Sequence, residues 1–171
     1  MLSHPLGNLK IHYVGSLNAF RSPIPFLEAL KATNYLYIDV VFVGETAPWT
    51  EKIKEYKFCS VVGQVEHKKA LSWMLGADIL LLILSEMGHE INDKAVVTGK
   101  VYEYIGAGRW IFAIGRTDGD CAEILKKNDL GSICENKKED ILKELNKIIE
   151  TQDRELGEFL ARQTIFNSGL I

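Results

Sequence analysis

Short β-rich runs alternate with segments of helical period along the chain, which restricts the fold to a sheet wrapped by helices. The six predicted strands are Leu9–Gly15, Ile38–Gly44, Phe58–Val65, Asp78–Leu84, Trp110–Gly115 and Gly131–Glu135. The predicted helices lie near Ile24–Thr33, Thr50–Tyr56, His67–Leu75, Gly99–Ala107, Cys121–Lys127 and Lys138–Thr151, with a last one from Asp153 to about Phe166.

The fourth strand, DILLLIL, is apolar on both faces, as a strand covered by helices on both sides must be. We therefore place it in the middle of the sheet. Right-handed crossovers then predict one α/β domain with a Rossmann-like, doubly wound, mainly parallel six-stranded sheet in three layers. The expected strand order is 3-2-1-4-5-6. Ligands of such sheets bind outside the carboxyl ends of the strands, near the point where the strand order reverses.

Charge and composition exclude several classes of protein. A chain of 171 residues with a formal net charge of -3 fits one domain with a small-molecule partner, and argues against a nucleic-acid partner. The three cysteines, Cys59, Cys121 and Cys134, lack metal-like spacing, so we expect buried thiols and no disulfide. The longest apolar stretch is far below the roughly 20 residues of a membrane span, and no signal peptide opens the chain. The predicted location is the cytoplasm.

The segment TGKVYEYIGAGRWIFAIG, Thr98–Gly115, places Lys100 in the first turn of a predicted helix. The amino end of a helix already carries partial positive charge, so a lysine there is unfavourable by roughly 0.3–1 kcal/mol. A bound anion reverses that sign, because free backbone amides and a lysine together bind phosphate. Thr98 is predicted to cap the helix, and Gly99 lets a ligand approach the backbone closely. The pattern predicts a pyrophosphate site at Thr98, Gly99 and Lys100.

Glu103 follows Lys100 by three residues and shares its helix face. A ligand whose phosphates lie at the helix end can place hydroxyl groups against this carboxylate, and phosphate together with a diol describes a nucleotide. The alternative is a solvated ion pair between Lys100 and Glu103, and the residues alone leave both interpretations open.

Two further loops at the carboxyl ends of predicted strands hold candidate residues. Gly15 makes the turn after the first strand, and Arg21 in the same loop can reach the phosphates; a plain surface arginine is the alternative. The segment GQVEH ends the third strand, and Gly63, Val65 and His67 are candidates for binding a base edge. His67 as a helix cap or a solvent-facing residue is the alternative there.

The sequence lacks the motifs of several other nucleotide-binding classes. It contains no GxGxxG fingerprint and no GxxxxGK[ST] loop, which counts against an NAD enzyme and a P-loop NTPase. The long loop Ser85–Val97 contains His89 and three acidic residues, but their spacing fits no familiar metal site. We therefore expect no metal and no cofactor, and no catalytic nucleophile stands out.

The order of motifs resembles the carboxyl-terminal, donor-binding domain of two-Rossmann (GT-B) glycosyltransferases, especially the family-4 (group 1) hexosyltransferases. The matching stretches, between about Lys10 and Glu135, are IHYVGSLNAFRSP, VVFVGE, VVGQVEHKKALSWMLGADILLLI, TGKVYEYIGAGRWIFAIG and GDCAEILKKNDLG. The resemblance implies half of a GT-B fold. It assigns the ribose hydroxyls to Glu103 and the donor pyrophosphate to Arg21 and Lys100, with Thr98 and Gly99 at the helix end.

Two residues depart from the family pattern. Ala95 stands where many members have a second glutamate that holds the donor sugar, which leaves the sugar contact and the stereochemical outcome open. Trp110 replaces a common proline at the start of a strand, which we interpret as a packing change.

The resemblance also implies a second, acceptor-binding domain on the amino-terminal side, and Met1 is then expected to open a fragment or a split subunit. The implied activity is transfer of a sugar from a nucleotide sugar to a saccharide or lipid-linked acceptor in polysaccharide biosynthesis. The resemblance allows peripheral membrane association of the full-length enzyme, and the chain alone is expected to be inactive. The alternatives are a nucleotide-sugar epimerase-like domain and a non-catalytic, flavodoxin-like interaction module such as a receiver domain.

Overall fold

The computed structural model describes residues 7–84 and 99–151 of the chain. Its strands are β1 Leu9–Val14, β2 Ile38–Val43, β3 Cys59–Gly63, β4 Ile79–Ile83, β5 Trp110–Ile114 and β6 Gly131–Cys134. Its helices are α1 Ile24–Ala32, α2 Thr50–Lys54, α3 His67–Leu75, α4 Gly99–Ala107 and α5 Asp120–Lys127, followed by α6 at residues 138–151.

All six strands are parallel and follow the order β3-β2-β1-β4-β5-β6, which confirms the predicted doubly wound topology. Every residue of β4 is buried, as predicted for a central strand. Several strands end earlier than predicted. β1 and β2 stop before Gly15 and Gly44, whose φ angles of 142° and 121° leave the extended conformation. β3 stops at Gly63 for the same reason, so Val65 lies beyond the strand.

Each face of the sheet carries its own hydrophobic core. One core joins the sheet to α1, α2 and α6, and the other joins it to α3, α4 and α5. In α1 the buried residues Phe26, Leu27, Ala29 and Leu30 recur at helical spacing, so one side of the helix covers the sheet. The helices therefore flank a three-layer structure, and the carboxyl ends of the strands stay open for a site.

The sheet splays where the strand order reverses, between β1 and β4. These two strands pair only at Ile11 with Ile79 and at His12 with Leu80. Beyond that point the buried hydroxyl of Tyr104, on α4, accepts a hydrogen bond from the Val14 amide at 2.9 Å. It donates to the Leu81 carbonyl at 3.1 Å, with the Val14 carbonyl at 3.3 Å as a second acceptor. Tyr104 thus fixes the first turns of α4 against the gap between β1 and β4.

Two predicted segments lie outside the described residues: the loop Ser85–Val97 and the last helix, Asp153 to about Phe166. The three cysteines are free; Cys121 and Cys134 are buried, as expected, whereas Cys59 is only half-buried because it lies in the edge strand β3. Within residues 7–84 and 99–151, every helix falls short of the length and apolarity that crossing a membrane requires.

Two glycine-to-alanine substitutions test the packing of the sheet edge. A Cβ at Gly131 would collide with the Ile111 carbonyl of the neighbouring β5, whereas a Cβ at Gly106 of α4 would meet no atom within 4 Å. We expect Gly131→Ala to lower the free energy of unfolding by about 1–3 kcal/mol through overpacking. The matched control, Gly106→Ala, should raise it by about 0.5–1 kcal/mol through helix propensity. Urea denaturation of both variants measures this, and equal stabilities would contradict the close approach of β6 to β5.

Candidate functional site

A cleft of about 220 Å³ opens at the carboxyl edge of the sheet, between the ends of β1, β2 and β3 and the helices α3 and α4. We call it the edge cleft. Its lining residues come from β1, β2, α3, α4 and the loops after β1, β2 and β3: Val14, Gly15, Ser16, Val43, Gly44, Glu45, Gln64, Val65, Ala70, Met74, Lys100 and Glu103. It lies beside the β1–β4 reversal, which is where a doubly wound sheet binds its ligand.

Lys100 reaches into the edge cleft from the first turn of α4. Its Nζ donates a hydrogen bond to the Tyr13 hydroxyl at 3.1 Å and lies 4.3 Å from the centre of the Tyr13 ring. The same hydroxyl donates to the Ser16 carbonyl at 2.9 Å. The lysine charge is therefore held by a neutral phenol and its ring face, and no carboxylate among the described residues forms an ion pair with it.

Two glycines make room for this arrangement. A Cβ at Gly15 would overlap the Lys100 ammonium, and a Cβ at Gly44 would overlap the Gly15 carbonyl. Both residues also have positive φ angles, which residues other than glycine rarely adopt. The floor of the edge cleft is thus bare backbone, as close approach of a phosphate requires.

Burial is the main reason why the pKa of Lys100 is lowered, from 10.5 to about 8. The positive charge of Arg21 lowers it further, and the Glu103 carboxylate acts in the opposite direction. Burial also raises the pKa of Tyr13, against the charge of Arg21 and a hydrogen bond from it. Tyr13 therefore stays neutral at physiological pH, whereas the pKa of Lys100 lies close to physiological pH. An incoming anion would stabilise the charged lysine.

Glu103 is exposed and lines the edge cleft next to Lys100. The ion pairs between described residues lie elsewhere, and none joins Lys100 to Glu103. The structure therefore does not contain the solvated Lys100–Glu103 pair that the sequence left open. Both side chains remain available at one opening.

Some of the other predicted site residues line the edge cleft, and others lie outside its lining. Val65 lines the edge cleft, whereas Gly63 and His67 are outside its lining, and His67 is exposed at the start of α3. Arg21 is half-buried, and its Nη1 lies 3.4 Å from the Ser16 carbonyl, close enough to affect Tyr13 and Lys100. Thr98 lies outside the described residues, and Gly99 is exposed at the start of α4.

Sequence reasoning missed several residues that shape this site, namely Tyr13, Gly44, Glu45, Gln64 and Tyr104. Glu45 and Gln64 follow the ends of β2 and β3, and their position just after a strand glycine was the available signal. Tyr104 belongs to the quoted KVYEYI stretch, but its partners lie 90 and 23 residues away along the chain.

A larger groove of about 770 Å³ lies near the amino ends of β1, β2 and β3, beside α3. Its lining includes Lys10, Asp39, Lys57, Lys69 and the buried His12. The imidazole Nδ1 of His12 donates to the Trp73 carbonyl at 2.7 Å. We favour the smaller edge cleft as the site, because it lies at the carboxyl edge and combines a half-buried cation with bare backbone.

Across residues 7–84 and 99–151, no group of three or more histidine, cysteine, aspartate or glutamate side chains is placed to hold a metal ion. The edge cleft instead offers an ammonium, carboxylates, an amide side chain and backbone.

Comparison with solved structures identifies the fold. HepE from Anabaena, in complex with UDP, matches with a TM-score of 0.64 at 14% identity, over 88% of this chain and 41% of that one. The C-terminal domain of the group 1 glycosyl transferase LpcC from Francisella tularensis matches with a TM-score of 0.63 at 20% identity, over 88% of this chain and 78% of that one. A glycosyltransferase from Rickettsia africae matches with a TM-score of 0.64 at 15% identity, over 94% of this chain and 43% of that one.

The chain thus has the Rossmann-like fold of a GT-B half-domain, which confirms the resemblance drawn from the sequence. The structural neighbours are glycosyltransferases, and HepE is also known in complex with UDP-glucose. The chain spans about two fifths of HepE, with 41% of that chain covered. No protein-family model matches the sequence, and a sequence search of curated proteins returns no match.

The lowered pKa of Lys100 predicts a pH-dependent stability. The folded chain binds this proton less tightly than the unfolded chain, whose lysine keeps its ordinary value, so wild-type stability rises between about pH 8 and pH 10.5. Lys100→Met removes the buried charge, and we expect it to raise the free energy of unfolding at pH 7 by about 1–3 kcal/mol. The difference in the free energy of unfolding between Lys100→Met and the wild type should decrease as the pH rises from about 8 to 10.5. Urea denaturation at pH 7 and pH 9.5 measures it; a less stable variant at pH 7 would contradict the cost of burying the charge.

Proposed function

We propose that this domain binds a nucleoside-diphosphate sugar in the edge cleft and supplies the donor side of a glycosyltransferase. The observation that carries the proposal is the placement of Lys100 and Glu103 at one opening of the cleft without an ion pair between them. A half-buried ammonium beside bare backbone suits a pyrophosphate, and a neighbouring carboxylate without an ion-pair partner among the described residues suits a sugar diol.

The diphosphate is assigned to the amino end of α4. Lys100 and the half-buried Arg21 supply positive charge, and Gly15 leaves the backbone open to close contact. The helix end adds its partial positive charge, with Gly99 at its first position. Thr98 belongs to the same proposal as the residue that caps the helix.

The nucleoside is assigned to the β2–β3 side of the cleft. Glu103 is placed to accept hydrogen bonds from ribose hydroxyls. Gln64 and Val65 line the same cleft, where backbone and an amide side chain can contact a base edge. Gly63 and His67, predicted from the sequence as further base-binding residues, lie outside the lining of the edge cleft and have no part in this assignment.

Glycosyl transfer requires stabilisation of the charge that builds on the departing nucleoside diphosphate. Lys100 and Arg21 can provide it without a metal, because fixed cations in a partly buried site act strongly on developing charge. An epimerase-like domain would need acid and base groups beside the sugar, and a receiver domain would need acidic residues after β1. The edge cleft has glycine and serine after β1, which favours the transferase.

The size of the edge cleft indicates one wall of a larger site. About 220 Å³ is below the roughly 300–1,000 Å³ typical of sites that bury a small-molecule ligand. We infer that a second domain closes the cleft, binds a saccharide or lipid-linked acceptor, and provides the groups that orient and deprotonate it. HepE and the Rickettsia protein, with 41% and 43% of their chains covered, leave room for such a domain.

Glu103→Ala tests the nucleoside assignment. Loss of charged hydrogen bonds to a diol should weaken UDP or UDP-glucose binding about tenfold to a hundredfold, with little change in stability because the carboxylate is exposed. Glu28→Ala, an exposed glutamate on α1 outside the cleft lining, is the matched control and should bind as wild type does. Titration calorimetry with UDP-, GDP- and ADP-sugars measures both. Unchanged affinity of Glu103→Ala for every nucleotide that the wild type binds would remove the ribose assignment.

Transfer activity tests the proposed second domain. The isolated chain should bind a nucleotide sugar but transfer nothing, because rate requires both reactants in register and water excluded. A labelled-donor assay with oligosaccharide and lipid-linked acceptors, run on this chain and on a protein that also contains an acceptor domain, measures the difference. Turnover by the chain alone would contradict the need for a second domain.

A further inference from the structure

We propose that Tyr13 is a positioning residue of this site: its hydroxyl and ring hold the Lys100 ammonium over Gly15, ready for a diphosphate. The proposal rests on the proposed function, since it names what aims the phosphate-binding lysine. Tyr13 lies in β1, in the strand that ends beside the edge cleft.

The contacts of the Tyr13 hydroxyl support this role. It donates its proton to the Ser16 carbonyl at 2.9 Å, so its oxygen lone pairs are left to accept hydrogen bonds from cations. Lys100 Nζ takes one of these positions at 3.1 Å, and Arg21 acts on the same phenol through charge and a hydrogen bond. One neutral side chain therefore connects both cations that are assigned to the diphosphate.

The ring and the hydroxyl of Tyr13 make different contacts. The ring is fully buried and lies 5.8 Å from the Phe42 ring, so a phenylalanine would serve the hydrophobic core equally well. The hydroxyl lies at the edge of that core, where the chain turns from β1 into the loop at Ser16. Its contacts with Ser16 and Lys100 are what a phenylalanine would remove.

Gly15 supports the same arrangement from the other side. A side chain there would occupy the space of the Lys100 ammonium, so the lysine lies between bare backbone and the Tyr13 phenol. A long flexible lysine without such contacts would sample many rotamers and lose entropy on binding phosphate. Tyr13 and Gly15 together restrict it before the ligand arrives.

The charges around Lys100 come from three elements. Arg21 in the loop after β1 disfavours the charged lysine, and Glu103 on α4 favours it. Glu45 after β2 lines the same cleft, and its Oε1 accepts a hydrogen bond from the Ala47 amide at 2.9 Å. The Tyr13 hydroxyl is neutral, so it stabilises the ammonium by a hydrogen bond while leaving its charge uncancelled for an anion.

Titration of Lys100 in Tyr13→Phe tests the proposal without any ligand. NMR of ¹³C-labelled lysine side chains follows each Cε signal with pH, and its absence in Lys100→Met assigns the Lys100 signal. We expect a midpoint near pH 8 in the wild type and one about half to one pH unit lower in Tyr13→Phe, because an acceptor of the charged form is lost. Tyr56→Phe, a half-buried tyrosine outside the cleft lining, is the control and should leave the midpoint unchanged. An unchanged midpoint in Tyr13→Phe would overturn the proposal.

UDP affinity at pH 8 then shows whether Tyr13 acts through Lys100. Tyr13→Phe should weaken UDP binding about threefold to tenfold when Lys100 is present, and less than twofold when Lys100 is replaced in the Lys100→Met background. Equal losses in both backgrounds would overturn the positioning role, because Tyr13 would then act independently of the lysine. Absence of UDP binding by every protein, together with no binding of other nucleotide sugars, would contradict the proposed function, and the lysine titration would still decide the role of Tyr13.

Discussion

The buried hydroxyl of Tyr104 closes the gap where β1 and β4 separate, and the edge cleft depends on it. Parallel pairing between these strands ends at His12 and Leu80, which would leave the amide of Val14 without a partner in the core. The Tyr104 hydroxyl accepts from that amide and donates to the Leu81 carbonyl of β4. An unpaired buried amide costs roughly 1–3 kcal/mol, so this contact strongly favours one position of α4. With α4 fixed, Lys100 and Glu103 are placed at the carboxyl edge.

The positive charge of Lys100 lowers the stability of the free protein, and the same charge attracts anions. Lys100 is held beside a phenol and bare backbone, and burial makes its charged form less favourable than in water. A diphosphate would relieve that cost, so part of the binding energy is present in the free protein as unfavourable charge burial. Gly15 and Gly44 have positive φ angles and no side chain, which leaves room for the Lys100 ammonium and for the Gly15 backbone beside it.

The order of the sheet was predictable from the sequence because its signals are local. Glycines after β1, β2 and β5 and the apolar run of β4 marked the strands, and helical spacing marked α3 and α4 to the residue. The same local signals placed Lys100 and Glu103 on one helix face. Strand ends were predicted too long wherever a glycine with positive φ ended the extended conformation, because composition does not reveal φ.

The support of the site was not predictable in the same way. Tyr13 and Lys100 lie 87 residues apart in the chain, and Tyr104 and Val14 lie 90 apart. Nothing in the spacing of IHYVG or KVYEY indicates that these side chains meet. Their contacts arise from the β1–β4 reversal, and only the assembled sheet brings them together. Gln64 and Glu45 were missed because each follows a strand whose exact end decides which residues face the cleft.

Amide chemical-shift mapping with UDP tests the central claim most directly, because the edge cleft and the larger groove beside α3 are lined by different residues. Binding in the edge cleft should shift the backbone signals of Gly15, Gln64 and Glu103 and leave those of Lys10, Ser60 and Lys69, in the larger groove beside α3, unchanged. The account would be contradicted if only signals of the larger groove shifted, or if the signals of Gly15, Gln64 and Glu103 did not shift at a saturating concentration of UDP.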